Sequence, residues 1–461
     1  MALTALLCTF LAIGSRHFGT DLRVYREAVS AWSKGVNPYS VNYTNGLHFT
    51  YAPFALVVLW PLELASFPLI QWTLWLSTIA ACSISTWLIL RAEGHQGTRL
   101  MWWRAVAWAA AALLILEPAR SGLTYGQVEA LLMLAILVDA LVIPPPYKGI
   151  VIGVTSAIKL TPLIFILFLL VRDWRSSIRA GASFVAVTAL AWLSWPKESE
   201  SFWLHDVFKP ARVGGVSYEG NQSWFGVLHR PPFLHTGSLA PWLVLCVITL
   251  LIGTYVSSRS VMLGSPVHGV LAMALTGLLI SPISWTHHWV WVLLVPPVLV
   301  AGCQPLHRTV RGMLWVLVVL AVLAPYLWLA SGVAADLLDD SLALWGFASL
   351  SCWAVSLRFL GGSVPNSQLA TPKRSLTAVS NVPVSRISGM VRRLWGLPPI
   401  AGHGHRRSRI VPSPRVGLAA IAPSEFAVRF TTPSEPDPFE RVNGGDVVGV
   451  AARDDDSDAV L

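Results

Sequence analysis

Apolar runs close to twenty residues long recur along this chain, and their length limits the fold more than any other property. They fall at about 2–14, 68–90, 101–117, 127–143, 149–171, 177–195, 239–257, 266–282, 288–302, 309–330 and 341–358. A helix rises about 1.5 Å per residue, so about 20 residues cover the hydrocarbon core of a bilayer. In lipid every backbone amide must be paired inside its own segment or in a closed barrel, which points these runs to helices. With 54% hydrophobic and 12% charged residues and a mean hydropathy of +0.60, the chain carries more apolar surface than a soluble globule can hide. The 22 tryptophans fit residues that gather at membrane interfaces. The expected fold is an all-α polytopic membrane bundle of about 10–12 segments.

The first run covers only roughly 20 Å as a helix. Its start is therefore expected upstream of Met1, and it lacks the basic region and small-residue cleavage site of a signal peptide. Basic residues in the short loops, Arg91, Arg99, Arg104, Lys148, Arg172, Arg175, Arg179, Arg259, Arg308 and Arg311, mark one side as cytoplasmic, with Asp336, Asp339 and Asp340 outside. This parity requires 149–171 to enter and leave on the same side, broken around Lys159-Leu160-Thr161-Pro162, and 52–66 to lie in the interface. One loop runs against it: 15–50 holds Arg16, Arg23, Arg26 and Lys34 against Asp21 and Glu27, yet falls outside.

Two domains follow: a membrane domain over 1–360 with long exterior segments at 15–67 and 196–238, and a tail over 361–461. The tail is rich in Pro, Ser, Gly and Arg, has no apolar periodicity, and is expected to be mostly disordered and cytoplasmic. Cys8, Cys82, Cys246, Cys303 and Cys352 lie in or beside apolar segments without metal-type spacing, and they read as small core residues.

Polar groups inside or at the ends of apolar segments are the candidates for chemistry, because each is costly unless it faces protein or a wet cavity. His287 and His288 stand in Ser281-Pro282-Ile283-Ser284-Trp285-Thr286-His287-His288, at the mouth of a span. They read equally as donors to an anion or as satisfied core histidines, and adjacent histidines without a third ligand make a metal site the last choice. Lys159 sits mid-segment with Pro162 breaking its helix, the setting of a cation that faces an anion or a cavity. Leu22, Tyr25, Val29 and Trp32 recur at helical spacing, which predicts an amphipathic helix with Asp21 in its first turn. Asp21 there serves as a helix-start residue or as a proton acceptor.

Tyr39 and Tyr51 belong to turn-like aromatic stretches that suit either sugar rings or interfacial anchoring. Gln127 opens a span, and Glu129 follows as a carboxylate needing a partner or a proton. Asn221-Gln222-Ser223 precedes Arg230 in the second exterior segment, amides and a guanidinium able to hold hydroxyls and phosphate oxygens.

Together these stretches resemble the bacterial polyprenyl-phosphate-mannose-dependent mannosyltransferases, a family of GT-C-type membrane glycosyltransferases. The resemblance rests on Asp21 with Tyr25, Gly35-x-x-Pro38-Tyr39, Phe49-x-Tyr51-x-Pro53, Gly126-Gln127, Lys159-x-Thr161-Pro162, Asn221-Gln222-Ser223 and Ser281-Pro282-x-Ser284-Trp285-x-His287-His288, over roughly residues 1–360. It implies transfer of mannose from a lipid phosphate carrier to a glycan or glycolipid outside the plasma membrane, forming an α-(1→2) bond, with one catalytic Asp that maps onto Asp21. The chain departs from the pattern in its short first span and in Glu129, where a neutral Asn is expected after Gly-Gln.

Independently of the resemblance, no phosphate-cradling glycine motif or loop long enough for a nucleotide-binding domain is present, so a lipid-borne donor fits best. The expected mechanism is inverting: Asp21 takes the acceptor proton, Lys159, Arg230, His287 and His288 hold the donor phosphate, and Tyr25, Tyr51, Gln127, Asn221, Gln222, Ser284 and Trp285 contact sugar or acceptor. The expected partners are polyprenyl-phosphate-mannose, a glycolipid or lipoglycan acceptor and the bilayer; no cofactor, metal or nucleic acid is expected. Rival readings are an enzyme using lipid-linked arabinose or glucose, a flippase or transporter of such lipids, and a non-catalytic assembly subunit.

Overall fold

Helices account for every long element in the computed structural model, which describes residues 19–95, 97–230, 239–301, 306–327 and 338–360. All of these belong to one unit, Met1–Val391. The first apolar run, Asp336, Cys8, Cys303 and the tail over 361–461 lie outside the described residues. Among the described residues there is no β-strand, and an isolated antiparallel bridge joins Asn221 to Trp285.

Four helices are long and apolar enough to cross a bilayer: Phe67–Ala92, Trp174–Ser194, Ala240–Met262 and Arg308–Leu327. A fifth span forms if Arg99–Ile115 and Glu117–Tyr125, bent by 81°, are taken together. Pro118 explains this bend, since it has no N–H to offer the Leu114 carbonyl and so interrupts the helical ladder. Trp174–Ser194 and Ala240–Met262 turn Ile178, Val185, Leu190, Leu193, Leu243, Val247 and Leu251 outward, the surface that lipid solvates. Several of the remaining runs fold as shorter or broken helices, so apolar run length alone overstates the number of straight crossings. Phe54–Glu63, Pro266–Ile280 and Thr286–Val300 are each shorter than a full crossing.

The segment over 149–171 is broken where expected. Ile150–Ile158 stops at Lys159, whose backbone is extended, a 3-10 turn covers Thr161–Ile164, and a second helix runs Phe165–Arg172. Its two ends return to one point: Lys148 Nζ and Arg172 Nη1 both donate to the Ala140 carbonyl, at 3.0 and 2.8 Å. The segment is therefore a re-entrant hairpin with Lys159 near its tip and basic residues at its base.

Ala240–Met262 and Pro266–Ile280 form the tightest helix pair. A Cβ on Gly253 would fall 1.8 Å from Thr276 Oγ1, so only glycine permits this approach. Trp289 and Trp353 are fully buried in the central core, and a second apolar cluster of Leu22, Tyr25, Tyr39, Phe49, Tyr51 and Phe202 builds the wall of the site.

Candidate active site

The site is assembled at a joint between two glycines. Thr20–Ser33 is the amphipathic helix expected from its spacing, burying Leu22, Tyr25 and Val29 while Arg23 and Glu27 face outward. Gly19, at φ 68°, donates its N–H to the Thr124 carbonyl at 2.8 Å, tying this helix start to the end of Glu117–Tyr125. That second helix ends at Gly126, at φ 81°, and a Cβ there would lie 2.7 Å from Leu22 Cβ. A left-handed turn without a side chain therefore delivers Gln127 to the first turn of Thr20–Ser33.

Gln127 meets Asp21 at this joint. Its Nε2 donates to Asp21 Oδ2, while its Oε1 accepts from Tyr25 Oη at 2.8 Å and Tyr51 Oη at 3.2 Å. A carboxylate only accepts, so the amide nitrogen must face Asp21, and the two hydroxyls then fix the oxygen. Tyr25 and Tyr51 also share a 2.9 Å contact between hydroxyls, and burial raises both phenol pKa values well above the ordinary value, so both stay protonated donors. Asp21 Oδ1 has no hydrogen-bond partner among the described residues. Burial raises the Asp21 carboxyl from 3.8 to about 6; the Gln127 hydrogen bond and the Lys159 charge oppose the shift, and the Glu129 charge adds to it.

Lys159 leaves the hairpin tip and pairs with Glu129, the first residue of the Glu129–Leu141 helix. Its Nζ also lies 3.2 Å from His288 Nε2 and 5.0 Å from the centre of the Tyr51 ring. Glu129, whose sequence position demanded a partner, has one. Glu129, His287 and His288 bring three metal-type ligand atoms within 4.8 Å of one another. The Lys159 ammonium contacts two of the three, so a cation of the protein's own already sits at this cluster.

Asp21, Tyr25, Tyr51, Gln127, Lys159, Trp285, His287 and His288 all line one cavity of about 740 Å³. Five of the eight belong to four separate stretches of the first 160 residues, and the Ala52 N–H donating to the Ile158 carbonyl at 3.3 Å couples two of those stretches directly. Other expected residues stand behind this wall. Asn221 Oδ1 accepts from the Ser284 N–H at 2.9 Å, and the Gln222 N–H donates to the Ser284 carbonyl at 2.8 Å, so both hold the loop that carries Trp285. Gln222 Oε1 further accepts from the Leu342 N–H at 3.1 Å. Arg230 does not line the cavity: it forms a buried ion pair with Asp340 and donates to the carbonyls of Tyr218 and Asn221 at 2.8 and 3.0 Å. Ser284 is fully buried and lines a small adjoining cavity of about 50 Å³ that also touches Lys159 and His288.

The cavity also contains residues that the sequence did not single out. Glu117, at the bend, accepts from Thr286 Oγ1 at 2.9 Å and Tyr326 Oη at 2.7 Å, and so fixes the residue next to His287. Asp206, Lys209, Arg212 and Tyr218 enter from the segment over 196–238. An ionisable group at the end of an apolar run is a signal for Glu117; charges in a loop give none.

The fold and the cavity are those of a helical membrane protein in which carboxylates, Asp21 among them, and basic groups from distant parts of the chain line one space. The glycosyltransferase family 87 model matches residues 49–282, and the chain belongs to that family. A polyprenol-phosphate-mannose-dependent alpha-(1-2)-phosphatidylinositol mannoside mannosyltransferase of Mycobacterium tuberculosis is 30% identical over 393 residues, covering 79% of this chain and 89% of that protein. The Mycolicibacterium smegmatis protein of the same name is 29% identical, covering 81% and 90%. A pentamannoside mannosyltransferase of Mycolicibacterium smegmatis is 30% identical, covering 68% and 77%. No solved structure matches the chain. Family membership decides between the enzyme and transporter readings in favour of a glycosyltransferase.

Proposed function

We propose that this protein transfers mannose from a polyprenyl-phosphate-mannose lipid to a hydroxyl of a phosphatidylinositol mannoside-type glycolipid, forming an α-(1→2) linkage with inversion, on the exterior face of the plasma membrane. The observation that carries the reading is Asp21, held on one oxygen by Gln127 and unpartnered among the described residues on the other, in the same cavity as Lys159, His287 and His288. The names of the relatives support the donor, the acceptor class and the linkage.

In this reaction the acceptor oxygen attacks the anomeric carbon while the bond from that carbon to the phosphate oxygen breaks. The hydroxyl proton passes to Asp21 Oδ1, and the phosphate leaves on its polyprenol with the bonding electrons. A phosphate departs without a general acid, so one carboxylate suffices where glycosidases need two. Gln127 keeps the acceptor-facing oxygen of Asp21 aimed, because its own oxygen is fixed by Tyr25 and Tyr51. Lys159 and the two imidazoles face the departing phosphate, where donors act most strongly out of bulk water. Glu129 holds Lys159 in place between turnovers.

Asp21→Asn keeps the Gln127 hydrogen bond and removes the base. Membranes containing the variant, given radiolabelled polyprenyl-phosphate-mannose and a phosphatidylinositol mannoside, are expected to lose transfer by at least about a hundredfold. Turnover near the wild-type level in a properly inserted variant would reject the assignment of Asp21.

A further inference from the structure

We propose that Lys209 and Arg212 form a second anion subsite in the cavity, which takes the phosphodiester headgroup of the lipid acceptor. The inference rests on the proposed mannosyl transfer and adds to it the group that positions the acceptor.

Both residues come from the segment that follows Trp174–Ser194, Lys209 between the short turns Asp206–Phe208 and Pro210–Arg212 and Arg212 at the end of the second, and both line the cavity. Arg212 is fixed in place. Its Nη2 donates to the Tyr39 carbonyl at 2.7 Å and lies 3.2 Å from Asp206 Oδ2. Its Nη1 and Nε have no hydrogen-bond partner among the described residues, which leaves one edge of the guanidinium fork open. Lys209 is only loosely held, 3.8 Å from Asp206 Oδ1, with its side chain 60% exposed. The two cations share the one Asp206 carboxylate.

The donor-side cation is differently placed. Lys159 is matched by Glu129 and stands at the hairpin tip beside the histidines. The Tyr39 and Tyr51 segment lies between the two groups: Arg212 holds the Tyr39 carbonyl, Tyr39 Oη donates to the Tyr51 carbonyl at 2.8 Å, and the Tyr51 ring faces Lys159. A cavity of about 740 Å³ is within the range of about 300–1,000 Å³ usual for sites that enclose a small molecule, so an acceptor sugar has room between two charged ends.

The neighbours of Lys209 indicate a lipid as the source of the phosphate. Phe208 is 75% exposed and Leu204 56% exposed on the same segment. Uncovered aromatic and aliphatic side chains flanking cations are the pattern of a segment at headgroup level. A phosphodiester there would receive two charge-assisted hydrogen bonds while its acyl chains remain in the bilayer.

The test compares acceptors in the full-length protein reconstituted in nanodiscs with labelled polyprenyl-phosphate-mannose. The acceptors are a phosphatidylinositol mannoside, its deacylated water-soluble form and an alkyl mannoside without phosphate. In Lys209→Gln, an exposed position that leaves the fold intact, and in Arg212→Gln, the ratio of kcat/KM for the phosphorylated over the phosphate-free acceptor is expected to fall about tenfold or more. The change is expected in the KM for acceptor rather than donor, and the deacylated form is expected to show the same dependence. A ratio unchanged in both variants overturns the proposal, and so does a rise confined to the donor KM. Loss of discrimination for the lipid form but not the deacylated form would assign the cations to the bilayer surface and equally overturn it. Binding of the deacylated acceptor, measured without donor, separates the two claims. If the wild type binds it more tightly than Lys209→Gln but transfers no mannose, the transfer reading fails and the subsite stands; equal binding sinks the subsite.

Discussion

At the residue scale the proposed chemistry turns on a carboxyl group whose surroundings pull in opposite directions. Burial raises the Asp21 pKa to about 6, and the Gln127 hydrogen bond and Lys159 limit the rise. A base must be ionised to accept a proton, so kcat/KM is expected to fall about tenfold per pH unit below about 6 and to level off above it. A pH profile of transfer, with vesicle integrity checked at each point, measures this; a limb centred near 4 would mean that the carboxyl is not the buried one described. The same shift has a cost in stability. A raised carboxyl pKa stabilises the fold below about 3.8, and this contribution is lost as pH rises through about 6. Asp21→Asn is therefore not expected to lower the melting temperature at neutral pH. Lys159 stood out in the sequence because a polar group within an apolar run is too costly to be incidental, whereas Asp21 read as a helix-start residue or a proton acceptor and Gln127 stood out through the family resemblance. Arg230, Asn221 and Gln222 were read from residue type as ligand donors, yet most of their hydrogen-bonding capacity is taken up by the chain itself, largely by backbone groups. Residue type cannot separate the two uses. Lys209 and Arg212 carried no signal, since a charge in an exterior loop costs nothing.

At the element scale, breaks in helices build the site, and their legibility depended on proline and lysine. Pro162 beside an intramembrane Lys159 announced the re-entrant hairpin. Pro118 produces a bend of 81°, but it lies just past the end of the apolar run over 101–117, so nothing in that run announced the second helix. The joint at Gly126 was readable as Gly-Gln only through the family resemblance. Its physical reason appears in three dimensions, where a positive φ coincides with the contact to Leu22. Gly126→Ala combines a left-handed backbone strain of about 1–3 kcal/mol with an overlap at Leu22. Pushing the two helices apart separates Gln127 from Asp21, so activity is expected to drop more than stability. A fall in kcat/KM of more than about tenfold with a melting temperature lowered by only a few degrees would bear this out. A variant that keeps full activity would show that the joint does not set the Asp21 geometry.

At the scale of the whole molecule, the hairpin sets the cavity opposite a cluster of basic residues. Its base carries Lys148, Arg172, Arg175 and Arg179, and Arg179 is bound into it through the Lys148 carbonyl at 2.9 Å. Nine residues of Ile150–Ile158 rise roughly 13 Å from that base to Lys159, which lines the cavity at the other end of the hairpin. If the basic base is cytoplasmic, the cavity opens outward. The basic residues of 15–50 count against that orientation, although two of them are engaged by the chain itself. Arg23 lies over the Phe67 ring at 4.1 Å and Arg26 donates to the Ala65 carbonyl at 3.2 Å, so both are held by the protein on the cavity side. Single cysteines at two exposed positions test the orientation in intact cells, in a background with the native cysteines replaced. Lys34→Cys, at the far end of the Thr20–Ser33 helix, is expected to react with a membrane-impermeant maleimide, and Arg175→Cys, at the hairpin base, only after permeabilisation. The opposite pattern would put the cavity in the cytoplasm, where nucleotide sugars are at hand, and would remove the reason for a lipid-borne donor.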